Sequence, residues 1–182
     1  MEYIAMDRQA VCRTEIDSAI HLFLYRDDLI AAHMLASAAL EIMTALSGGD
    51  KTVGINRMRA LLTEHDVPKD IMDEVFSSLS HPYNFSKHSS SDSSVVNDYP
   101  IEQMIMNIYT AIYTYKSMFG EITPEMNTLY GILISWKIHW WEGVPGQDEL
   151  RRIAERLGLS GKSRAEVQAF GRLLLLQQRA AQ

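Results

Sequence analysis

The stretch "LIAAHMLASAALEIMTAL", Leu29 to Leu46, constrains the fold more than any other part of the chain. Wound as a helix at about 100° per residue, it gathers His33, Ser37, Glu41 and Thr44 into one narrow stripe. The remaining circumference is Ala, Leu, Met and Ile. A helix apolar on nearly all sides belongs at the centre of a bundle, and its alanines let neighbours approach closely.

The same spacing of three and four recurs on both sides of it. Ile16, Ala19, Ile20, Phe23 and Leu24 form the stripe of a first helix over Arg8–Tyr25. Asp27 or Asp28 caps the Ala-rich helix, and Gly48 and Gly49 stop it near Leu46. Shorter helices are expected over Ile55–Glu64 and Pro68–Leu79. A long one follows over Pro100–Phe119, where Ile101, Met104, Ile105, Ile108, Ile112, Tyr115 and Phe119 keep the period. Thr123 and Pro124 open a sixth helix that runs to about Trp141. Clean period-two strand signals are scarce. The fold class read from these patterns is all-α: one bundle of about six helices with a C-terminal helical hairpin.

"EGVPG", Glu142 to Gly146, is the hinge that divides residues 1–142, the bundle, from residues 147–182, the hairpin. The hairpin has helices at about Gln147–Leu157 and Ser163–Arg179, and Ser163 and Glu166 have capping-box spacing. Charge divides in the same way. Residues 1–146 carry 19 acidic and 10 basic side chains, and residues 147–182 carry 4 and 7. The net charge of −6 argues against broad, non-specific nucleic-acid binding. The acidic body suits a basic protein partner. The methionine count, ten, suits adaptable contact surfaces and a homo-oligomer.

Cys12 is the single cysteine, so no intrachain disulfide forms, which fits a reducing cytoplasm. "MEYIAMDRQA" lacks the layout of a signal peptide, and with no stretch of about 18 apolar residues a membrane span is not expected. The six histidines show no metal-ligand spacing, so neither a metal nor another cofactor is expected.

Several motifs resemble sites. "GGDKTVG" and "GLSGKS" place Lys beside Gly, yet both follow helices and lack phosphate-loop spacing. "IAERLGLSGKSRAEVQAFGR" has the small-residue and turn pair of a helix-turn-helix, Ala154 and Gly158. Arg164, however, stands where an apolar residue is needed, and "LLLL" suits docking better than base readout. The separation of Arg59 and His65 resembles that of the catalytic pair in HEPN-type ribonucleases, which would imply one group moving the 2′-OH proton and the other stabilising charge on the phosphate. The serine-rich break, residues 80–99, holds Asn84, Lys87, His88 and Asp92 in "YNFSKHSSSD". A point charge, a group titrating near neutrality and an orienting amide together suit an anion such as a nucleotide or RNA phosphate.

"AIHLFLYRDDLIAAHMLASAALEIM" and "NFSKHSSSD" resemble two motifs of a bacterial family of uncharacterised all-α proteins, "A-I-x-L-F-F…D-x-x-S-x-H-T-L-A-A-A-A" and "N-F-F-K-H-A-D-x-D". His33, Leu35 and Ala36 fall on the first, and Asn84, Phe85, Lys87, His88 and Asp92 on the second. Ser86, Ser89 and Ser90 depart from it. The helical pattern is also similar to HEPN bundles. The resemblance implies an all-α fold and makes His33, Asn84, Lys87, His88 and Asp92 a candidate ligand site. Arg59 and His65 are the alternative, metal-independent ribonuclease pair. The expected function is a helical binding module.

Overall fold

Side-chain oxygens start the helices. Asp7 accepts from the Ala10 N–H at 2.7 Å, Asp28 from Ala31 at 3.0 Å, and Thr123 from Met126 at 3.1 Å. Each satisfies an N–H that has no partner inside its own helix. The computed structural model describes residues 7–50, 54–64, 66–74, 76–77, 100–142 and 147–180. Its helices are α1 (Arg8–His21), α2 (Leu29–Ser47), α3 (Gly54–Glu64), α4 (Ile101–Phe119), α5 (Pro124–Trp136), α6 (Gln147–Leu157) and α7 (Arg164–Ala180). Residues 69–74 and 76–77 are also helical. No strand occurs among the described residues, so the fold is all-α.

α1 continues as a π-helical turn, Leu22–Arg26, and Asp27 then takes a left-handed conformation. The chain reverses there, so α2 runs back along α1, and Cys12 Sγ lies 3.7 Å from the Ala39 carbonyl. α4 and α5 form a second antiparallel pair about Gly120. The two pairs lie side by side with α2 parallel to α4. His33 and Ser37 meet Asn107, and one end further on Gly54 donates to the Ser117 hydroxyl. Parallel neighbours cannot be joined by a tight turn, which is why about fifty residues separate them. α3 lies in that connection and packs on α4 and α2.

The core is where α1, α2, α4 and α5 face one another. Ile16, Ile20, Phe23, Met43, Ile108, Ile112, Leu129 and Ile132 are all fully buried there. Ala32, Ala36 and Ala39 are buried on α2, as its composition requires. α2 is long and apolar enough to cross a membrane by length and composition alone, a test that a buried core helix also passes. In this fold it is packed between α1 and α4.

The C-terminal hairpin docks on the bundle. The end of the first helix leaves carbonyls without helical partners, and α7 supplies donors to them. Gln168 Nε2 donates to the Phe23 carbonyl and to Asp27 Oδ1, both at 2.8 Å. Arg172 donates to the Leu24 carbonyl, and Arg164 pairs with Asp27 at 3.0 Å. α6 is held by Ser135, whose hydroxyl donates to the Ala154 carbonyl at 2.9 Å and accepts from the Leu159 N–H at 3.1 Å. The Trp136 indole N–H donates to the Lys162 carbonyl at 2.8 Å.

One helix ends earlier than its sequence suggests. α5 stops at Trp136, not Trp141, because Lys137 leaves helical geometry (φ −109°, ψ 37°) and a 3-10 turn, Ile138–Trp141, follows. The buried Lys137 ammonium pairs with Glu102 and lies 4.2 Å from the Trp136 ring centre. That pairing ties the end of α5 to the first turn of α4.

Gly171 sits where α7 comes closest to the bundle. A Cβ there would lie 2.8 Å from Leu24 Cδ2 and 3.1 Å from Ile132 Cδ1. Both neighbours are fully buried, so the ends of core side chains must shift to admit it. Gly171→Val is expected to cost about 1–3 kcal/mol by overpacking, read as a lower Tm. An unchanged Tm would mean that α7 is not seated as described.

Candidate functional site

His33 enters the site argument through α2. Its ring faces α4 and is 1% exposed. Asn107 Nδ2 donates to His33 Nδ1 at 3.3 Å and to the Ser37 hydroxyl oxygen at 2.6 Å. His33 Nε2 and Ser37 Oγ are 3.3 Å apart. A neutral imidazole with its proton on Nε2 satisfies every one of these contacts. Burial lowers the His33 pKa to about 4, so the ring is uncharged at neutral pH.

Ser, His and Asn are the residue types of an acyl-transfer triad, but the arrangement is different. Ser37 and His33 are one helical turn apart on the same helix, and both are enclosed by α4. A general base works best with a pKa near the working pH, and about 4 is far below it. The network instead joins two apolar faces at one fixed register, because any axial slip would strand three buried polar groups.

The other sequence candidates are placed as follows. Asn84, Lys87, His88 and Asp92 lie outside the described residues, as does His65. Arg59 is exposed on α3, with its guanidinium carbon 4.3 Å from the Phe76 ring centre. His33 is committed to Ser37 and Asn107 rather than to an open pocket. No group of three or more His, Cys, Asp or Glu side chains among the described residues is arranged to hold a metal. Cys12 is a core thiol, and burial raises its pKa to about 11, so it is not a ready nucleophile.

Sequence reasoning missed Asn107. Its signal was an amide at a core position of α4, between Met104 and Ile108 on a buried face. It also missed Gln168 and Arg172, two polar residues on the face that α7 turns to the bundle.

α7 carries a further feature. Val167, Gly171 and Leu175 face the bundle. About half a turn away at ~100° per residue, Ala165, Ala169, Leu173 and Leu176 face outward. Leu173 is 52% and Leu176 58% exposed, the largest apolar exposures on this helix. Base readout in a DNA groove needs side chains such as Arg, Asn or Gln at the outward positions of a recognition helix. Apolar side chains occupy them here, and this face is suited to protein contact.

Comparison of the chain with protein-family models, curated proteins and solved structures found no match. The functional reading therefore rests on the geometry of the chain itself.

The buried imidazole has a measurable consequence. Between pH 6.5, the ordinary His value, and about 4, the unfolded chain binds a proton that folded His33 does not. The His33 contribution is therefore complete above pH 6.5 and lost as pH falls toward 4, by about 3 kcal/mol in all. Burial raises the Asp17 and Glu15 pKa values, and these groups act in the opposite sense. The readout is thus the difference in urea midpoint between the parent and His33→Gln across this range. The gap should narrow on acidification, and a constant gap would show that His33 is not buried and neutral.

Proposed function

We propose that the chain is a helical interaction module, and that its working surface is the outer face of α7. One observation carries this reading: α7 is apolar on two opposite faces, and the bundle covers only one of them. Covering a Leu side chain fully is worth roughly 1.5–3 kcal/mol. A partner that shielded Leu173 and Leu176 would gain part of that from each. The hydrogen bonds of Gln168 and Arg172 fix the helix behind that surface, so little ordering is left for binding to accomplish.

The cluster Asn84, Lys87, His88 and Asp92 belongs to the proposal on sequence grounds, as a second contact for an anionic group. A ribonuclease reading would rest on Arg59 with His65. Arg59 stacked on Phe76 gives it no specific support.

A photo-crosslinking amino acid at position 173, introduced in cells, tests the surface. Discrete adducts are expected from this position, and none from position 152, an exposed arginine on α6. Equal yields at the two positions would overturn the reading. For the anion contact, purified protein should bind nucleotides or short RNAs from a panel, and Lys87→Ala should weaken that binding. Indifference to Lys87→Ala would remove the contact.

A further inference from the structure

We propose that the partner on the outer face of α7 is a second copy of this chain, with the two α7 helices packed antiparallel about a two-fold axis. The proposal rests on the interaction-module reading and names its partner.

The spacing comes first. Ala165, Ala169, Leu173, Leu176 and Ala180 are separated by four, four, three and four residues and form one outward seam. Such a seam packs against another helix that carries the same period. The size pattern then selects the orientation. Two alanines, Ala165 and Ala169, come first in the seam, two leucines, Leu173 and Leu176, follow, and Ala180 ends it. Antiparallel pairing centred near residue 171 sets Leu173 against the partner's Ala169 and Leu176 against the partner's Ala165. Each knob then meets a hole. Parallel pairing would set leucine on leucine and leave a gap between alanines.

Charge permits the same orientation. Lys162 is paired with Glu166 at 3.2 Å and balances it at the N-terminal end of α7, which leaves the helix dipoles, and these attract end to end when the helices are antiparallel. Along one edge, Glu166 comes beside the partner's Gln177 and can accept from its amide. Along the other, Arg172 is turned inward to the Leu24 carbonyl and Arg179 is paired with Glu125 at 3.2 Å. Neither presents an uncommitted like charge to the seam. The axis is isologous, so the contact closes at two copies and does not propagate.

Sedimentation of the purified full chain over a wide concentration range tests this. A monomer–dimer equilibrium is expected. Ala169→Leu should weaken it about tenfold or more, because the new side chain fills the hole that the partner's Leu173 needs. Non-specific stickiness would instead grow stronger with that change. Leu173→Glu and Ala169→Lys should each give monomers, and mixing the two should restore a mixed dimer. Circular dichroism checks that every variant keeps its helices. A chain that stays monomeric throughout, or a dimer tightened by Ala169→Leu, overturns the proposal. If the chain is monomeric while position 173 crosslinks to a different protein, the second copy is wrong and the interaction-module reading stands. If position 173 crosslinks to nothing, both fail.

Discussion

The parallel contact between α2 and α4 sets the rest of the structure. An apolar helix contact alone has little to resist sliding. His33, Ser37 and Asn107 supply a set of directional bonds that close at one register. Because the two helices point the same way, no tight turn can join them, and α3 lies in the connection between them. The sequence motif singled out for anion binding also falls within it.

The second joint is of another kind. α7 is attached to the first helix at the place where its regular hydrogen bonding runs out. Gln168, Arg172 and Arg164 act there as an external C-cap, and the absence of a side chain at Gly171 brings α7 close enough for them to reach. The hairpin is more basic than the body, and two of its basic groups are used on the carbonyl and carboxylate at this helix end. Part of its positive charge therefore has a structural use.

Much of the fold was legible because helix signals are local. Asp28, Thr123 with Pro124, and the Ser163–Glu166 box mark starts, and apolar periods mark faces. What depended on distant partners was not legible. Lys137 at the end of α5 pairs with Glu102, 35 residues away, and nothing near it in sequence says so. His33 could be singled out as a polar residue on an apolar helix, but its role depends on Asn107, 74 residues away. Sequence alone offered it as a ligand group, whereas its two ring nitrogens are used inside the bundle. The outer seam of α7 was visible only as a greasy run, since sequence could not tell which leucines the bundle would cover.

The π-helical turn at Leu22–Arg26 has a consequence for how this joint can change over time. Gln168 and Arg172 recognise main-chain oxygens of Phe23 and Leu24, which every amino acid possesses. Replacing an exposed residue of the turn, such as Tyr25, leaves those acceptors where they are. Removing a residue from it would rotate the acceptors away from α7 and break the seat. The joint should therefore tolerate change at its exposed positions, Asp27 apart, while holding its length constant.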